Sequence, residues 1–169
     1  VYAAALDKGY TPASIVYDYP IIYIQHQAEK GLKVWRPHNY ENRFYGQISL
    51  REALVHSRNV ATIRLLNNIG IHYVINYARR LGITSPLTPD LSLGLGSSCV
   101  SLLELTTAFS VFANQGQYIK PTPIIKILDR RGNVLEESTP HPQSVINSDT
   151  AYIITNILED VIKRGTGRK

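Results

Sequence analysis

Ser57, Arg58 and Asn59 set a hydroxyl, a guanidinium and an amide side by side, between two apolar patterns that would otherwise read as one helix from Leu50 to Leu66. Four uses fit such an interruption: a hinge, a turn that reads DNA, a helix cap, or a catalytic loop. Ser and Asn are ordinary capping residues, so the tripeptide alone does not separate cap from site. The DNA use fails on the second helix. Val60-Ala61-Thr62-Ile63-Arg64-Leu65-Leu66 is nearly all apolar, whereas a recognition helix needs polar side chains facing base edges. That helix is expected to be buried.

The other chemically suggestive residues carry less. Gly94-Leu95-Gly96 lacks the Gly-Lys-Ser/Thr ending of a phosphate loop and follows no convincing strand, so it reads as a loop leading into a helix. His26, His38, His56, His72 and His141 show neither the i, i+4 nor the cysteine-pair spacing of a zinc site, and no metal is expected. Cys99 is the single cysteine, which excludes an internal disulfide. It reads as a small buried thiol rather than a reactive one.

Composition narrows the classes. Of 169 residues, 44% are hydrophobic and 18% charged, a globular balance. The net charge of +5 is scattered in pairs (Arg79-Arg80, Arg130-Arg131, Lys163-Arg164) rather than gathered in a stripe, so no nucleic-acid partner is expected. No run reaches the ~20 apolar residues of a membrane span, and no signal peptide opens the chain. There is no methionine, even at position 1, which suggests an internal segment of a longer protein.

The elements that must position the tripeptide follow from periodicity and caps. Ala3 to Leu6 read as the end of a helix stopped by Gly9, and Asp18-Tyr19-Pro20 forces extended or turn backbone. Ile21 to Tyr45, rich in Tyr, Asn, His and Pro, reads as a long ordered loop, of the length that is usually functional. Ser49 and Glu52 form a capping-box pattern opening a short helix to about His56. A second helix runs from Asn59 or Val60 to Gly70, a third from about Tyr73 to Leu81. Ser101 and Glu104 cap a fourth, with Leu105, Ala108, Phe109 and Phe112 as its expected buried stripe. Ile124–Leu128 and Val134-Leu135 flank a turn as one antiparallel hairpin. A last helix starts at Asn147 or Ser148 and ends at Gly165. No internal domain boundary shows.

Several stretches together resemble the transpeptidase domain of class A (bifunctional) penicillin-binding proteins: residues 1–20, Trp35 to Tyr40, Tyr45 to Leu54 leading into Ser57-Arg58-Asn59, Leu93 to Ser97, Phe112 to Gly116, and Val161 to Arg168. Each is weak alone; their shared order along the chain is specific. The family builds its site from Ser-x-x-Lys, Ser-x-Asn and Lys-Thr/Ser-Gly. Here only Ser57-Arg58-Asn59 is present: no serine has lysine three positions on, and no lysine precedes Thr-Gly or Ser-Gly. The resemblance places the first motif just before Val1 and the third shortly after Lys169.

The resemblance implies that residues 1–169 are a partial transpeptidase domain. The fold class is then α+β, a mostly helical segment with one hairpin, part of a domain of helices around an antiparallel sheet. The parent would be a peptidoglycan D,D-transpeptidase that cross-links stem peptides through a serine acyl-enzyme, without cofactor, and is a target of β-lactam antibiotics. It would work on the outer, periplasmic face of the bacterial cytoplasmic membrane, tethered by a span outside this chain. Ser57 would relay a proton to the leaving amine, and Asn59 would hold the substrate amide or orient the lysine of Ser-x-x-Lys. Trp35 and Tyr40 would wall the substrate cleft, with a packed surface loop as the other use of that stretch. The 169 residues alone lack the nucleophile and should be inactive. A catalytically silent folding or interaction fragment, or a β-lactam-sensing or hydrolysing relative, are the alternatives.

Overall fold

The computed structural model describes residues 1–27 and 31–168. Its centre is a helix that the sequence makes apolar on nearly every side. This helix, α3 (Asn59–Ile69), buries Val60, Ala61, Thr62, Ile63, Leu65, Leu66 and Ile69. Such a helix needs neighbours all round. They are α1 (Tyr2–Asp7), α2 (Leu50–Val55), α4 (Ile71–Arg80), the strand β1 (Ile15–Asp18) and a 3-10 helix at Leu91–Leu95. The 3-10 helix lies so close that a β-carbon at Gly94 would sit 3.2 Å from Leu66 Cδ2 and 3.6 Å from Thr62 Cγ2. At the far end of α3, Lys8 Nζ donates to the Ile69 carbonyl at 2.6 Å, a cation on the negative pole of the helix.

The N-terminal side is organised by a short strand pair. β1 runs antiparallel to β4 (Gly46–Ser49), with Ile15 opposite Ser49 and Asp18 opposite Gly46. β4 leads directly into α2, whose first amides are taken by the chain before β1: Leu50 N donates to Ser14 O at 2.8 Å and Arg51 N to Pro12 O at 3.1 Å. Between them, β2 (Tyr23–Gln27) and β3 (Gly31–Trp35) form a hairpin.

In the second half, α5 (Leu102–Ala113) packs on α6 (Ser148–Arg164). Two small antiparallel pairs lie between them in sequence: β5 (Gln117–Tyr118) with β8 (Gln143–Ser144), and β6 (Lys126–Leu128) with β7 (Val134–Glu137). α6 returns to α2. Arg51 Nη1 pairs with Asp160 at 2.7 Å and Arg164 Nη1 with Glu52 at 2.7 Å. Thr166 N then donates to Val55 O at 3.2 Å. The approach is close enough that a β-carbon at Gly165 would collide with the Val55 carbonyl oxygen and lie 2.8 Å from Val55 Cγ1.

The mostly helical α+β character matches expectation, while several details differ. The expected single hairpin (β6–β7) is present, alongside three further antiparallel pairs among the described residues. Within the stretch 21–45, Tyr23–Gln27 and Gly31–Trp35 are strands rather than loop; the polar residues of β2 disguise its strand, and Ala28 to Lys30 lie outside the described residues. Gly94-Leu95 closes a 3-10 helix capped by Asp90, whose carboxylate accepts from Ser92 N at 2.8 Å. Cys99 is exposed, not buried.

The capping box of α5 is complete, but that of α2 is half made. Ser49 accepts from Glu52 N at 3.1 Å, while the Glu52 side chain turns to Arg164 and to His56. The buried face of α5 is Thr107, Ala108 and Val111, and Leu105 and Phe109 are 43% and 51% exposed. The apolar stripe and the buried face of that helix therefore do not coincide, and only Ala108 belongs fully to both. Thr107 can be buried because its hydroxyl donates to Leu103 O at 2.7 Å.

Candidate functional site

The interruption at Ser57 is the joint between α2 and α3. Ser57 N donates to Leu54 O at 3.1 Å and Arg58 N to Ala53 O at 2.9 Å. These two bonds form the Schellman termination of α2, with Ser57 at the position that must adopt left-handed backbone. Its φ is 52°, where glycine or asparagine is usual. Ser57 is therefore a backbone terminator of α2 whose hydroxyl caps nothing: it is exposed, and no hydrogen bond joins it to any described residue. Nor is it the N-cap of α3, a place held by Arg58.

Arg58 cannot cap, because a guanidinium has no acceptor. It folds inward instead, 8% exposed, with its guanidinium 3.5 Å from the Tyr45 ring centroid and Nη1 2.6 Å from Glu41 Oε2. Asn59 is the first helical residue. Its Nδ2 donates to the His38 carbonyl at 3.2 Å, which leaves the second amide hydrogen and the carbonyl oxygen for other partners. Ser57 and Asn59 thus stand toward solvent while Arg58 turns into the protein.

The cap that α3 lacks locally comes from the preceding loop. Asn39 Oδ1 accepts from Val60 N at 3.3 Å. Its Nδ2 gives one hydrogen to Arg43 O at 2.8 Å and shares the other between Asp18 Oδ1 at 2.9 Å and Asp18 Oδ2 at 2.8 Å. Tyr45 N adds a fourth bond, to Asp18 Oδ2 at 3.0 Å. Asp18 and Asn39 are 0% and 1% exposed, so the carboxylate's desolvation is met by donors rather than by a cation. Both residues escape a local reading, since no short-range pattern joins positions 18, 39 and 60. The one usable signal is Arg58, which as an N-cap implies a cap from elsewhere.

A second network holds the turn from the core side. Thr62 Oγ1 donates to the Arg58 carbonyl at 2.8 Å and lies 2.7 Å from Tyr2 Oη, so the phenol donates to the threonine. Burial pushes the Tyr2 phenol well above its ordinary pKa, the Thr62 hydrogen bond opposing the shift and Asp18 adding to it. This phenol stays neutral and acts as a fixed strut between α1 and the turn.

The two aromatic candidates are placed differently. Tyr40 follows Asn39 in the loop and is 95% exposed. Trp35 is half-buried and stacks on Tyr23 at 5.8 Å between ring centroids, which ties it to the hairpin. Among the described residues no cluster of His, Cys, Asp or Glu is arranged to hold a metal, and no helix is long and apolar enough to cross a membrane.

The arrangement is an exposed hydroxyl on fixed, left-handed backbone, two residues before an anchored amide, between rigid helices. It suits handing on a proton and orienting an amide, with the attacking group supplied by another element. Comparison with known proteins places the chain in a family. Residues 1–169 match the family model of the penicillin binding protein transpeptidase domain. The chain is 36% identical to penicillin-binding protein 1A of Pseudomonas aeruginosa over its whole length, covering 26% of that protein. Against the Neisseria meningitidis (serogroup A) protein of the same name it is 38% identical over 99% of its length, covering 22%. It spans about a quarter of the length of such relatives.

Among solved structures, 99% of the chain superposes on penicillin-binding protein 1A from Haemophilus influenzae with a TM-score of 0.89 at 28% identity, covering 29% of that chain. An imipenem acyl-enzyme complex of penicillin-binding protein A from M. tuberculosis has the same fold over 96% of this chain and 41% of its own, with a TM-score of 0.80 at 22% identity. With a match over every residue and relatives above one-third identity, the chain belongs to the penicillin-binding protein transpeptidase domain family.

Proposed function

We propose that this chain is the central segment of a peptidoglycan D,D-transpeptidase, with Ser57 as its proton relay and Asn59 as the amide that orients the substrate or the first-motif lysine. In that reaction a serine oxygen attacks the D-alanyl-D-alanine carbonyl. The new C–O bond replaces the C–N bond, and the terminal D-alanine leaves as an amine that needs a proton. A hydroxyl can accept and donate in one geometry, so Ser57 suits the transfer. The acyl group then passes to the amine of a second stem peptide. The nucleophile and both lysines belong to segments that would flank residues 1–169 at the outer face of the cytoplasmic membrane. Tyr40 is the better placed of the two aromatics to line the cleft, because it projects from the loop whose His38 carbonyl holds Asn59.

The observation that carries this reading is the left-handed Ser57. A non-glycine residue there costs of order 1 kcal/mol; its side chain recovers none of this by capping, and such strain gathers at functional sites. β-Lactams would acylate the same centre, as imipenem acylates the M. tuberculosis protein of the same fold. The test is Ser57→Ala in the full-length enzyme, with acylation followed using a labelled penicillin. The acylation rate should fall ~10²–10⁴-fold while the melting temperature stays put. Parent-like acylation with a markedly lower melting temperature would make Ser57 structural and refute the assignment.

A further inference from the structure

We propose that the buried Asp18–Asn39 pair is a positioning device for the Ser57–Asn59 turn, a role that rests on the transpeptidase reading above. The position of Asn59 depends on the first turn of α3, and that turn has no cap of its own. The N-cap place is filled by Arg58, whose side chain has no acceptor. Asn39 reaches in from the loop to take Val60 N, and Asp18, at the end of β1, fixes the rotamer of Asn39 by accepting from its amide with both oxygens. The same loop grips the neighbouring residues: His38 O takes Asn59 Nδ2, Glu41 pairs with Arg58, and Tyr45 lies under the guanidinium while its own N–H goes to Asp18. Two of the three motif residues, and the first amide beyond them, are therefore located by one loop, which hangs on one buried carboxylate.

An isolated helix cap is only a stability feature. This one is different because the segment it fixes carries the reacting groups, and small displacements of such groups cost rate steeply: a ~1 Å misplacement can cost ~10²-fold. The pair is also directional. Asp18 supplies acceptors only, and the Asn39 amide supplies the donor to it and the acceptor to Val60, so neither can be changed alone without setting like against like.

The experiment compares the full-length enzyme with its Asp18→Asn and Asn39→Asp variants. Labelled penicillin is used to measure both the number of acylated sites per chain and the limiting acylation rate of those sites. Each variant should keep close to one reactive site per folded chain but lose about tenfold or more in limiting rate. A purely structural role would lower the number of reactive sites and leave their rate at the parent value, which would overturn the proposal. So would variants that match the parent in both readings. If the parent itself takes up no penicillin, the transpeptidase reading falls and the positioning role with it. A parent that acylates beside unaffected variants removes the positioning role alone.

Discussion

Replacing Thr62 by valine tests the strut between α1 and the turn. Thr62 Oγ1 accepts from the Tyr2 phenol at 2.7 Å and donates to Arg58 O at 2.8 Å, and both side chains are buried. Valine keeps the shape and removes both functions. The Arg58 carbonyl loses little, because it still accepts from Thr62 N at 3.0 Å. The Tyr2 hydroxyl is left in the core without an acceptor, a penalty of ~1–3 kcal/mol, and the bond itself is worth ~1. Thr62→Val should therefore cost ~2–4 kcal/mol. Tyr2→Phe removes the group that would be orphaned and should cost only ~1 kcal/mol. The double variant should cost ~1–2 kcal/mol, well below the sum of the singles, because apolar groups now face each other. Urea unfolding followed by circular dichroism on the parent, both singles and the double gives the cycle. Additivity within ~0.5 kcal/mol, or a Tyr2→Phe cost above that of Thr62→Val, would refute the direction assigned to this hydrogen bond.

Two more expectations concern the outer elements. Gly165→Ala should destabilise by ~1–3 kcal/mol through overpacking, since its methyl would meet the Val55 carbonyl where α6 closes on α2; urea unfolding at the parent's stability would show the contact to be looser than described. Glu104 accepts from the Ser85 and Thr84 hydroxyls and from the Ser101, Thr84 and Ser85 amides, and these bonds, the Ser85 hydroxyl foremost, hold its carboxyl well below the usual carboxylate range. A depressed folded value means its contribution is present above the unfolded value of about 4.3 and fades as pH falls toward the folded one. Melting temperatures of parent and Glu104→Gln should differ most near neutral pH and converge in acid, and a pH-independent gap would show that the carboxylate's charge is not what the bonds use.

What the sequence discloses is local, and what it hides is long-range. Asn147 before α6 and Ser101 with Glu104 before α5 are readable because cap and helix lie within a few residues. Ser49 is readable for the same reason, whereas the second half of its pattern fails because Arg164, far along the chain, draws Glu52 away. β1 and β4 are four residues each, and their pairing is set by burial of Val16 and by the Asp18 network, neither of which leaves a periodic trace. The face of α5 is not legible because its leucines and phenylalanines lie away from the side that is buried, which is made of Thr107, Ala108 and Val111. At the turn, the residue types are visible and the geometry is not. No pattern distinguishes a serine that caps with its side chain from one that ends a helix with its backbone. The cap that Asn39 provides exists only once the loop has folded onto α3.

The left-handed backbone at Ser57 also sets stability engineering against activity at a single codon. Methods that rank substitutions by folding energy favour glycine or asparagine at such a position, since either relieves the steric cost of φ 52°. Each also deletes the hydroxyl. A library sorted on expression or heat resistance would enrich such changes at 57 and return well-behaved proteins that have lost the proposed relay. A library sorted on penicillin uptake would hold serine there and recover its stability elsewhere. The residue that a stability filter most wants to replace is then the one an activity filter should not release.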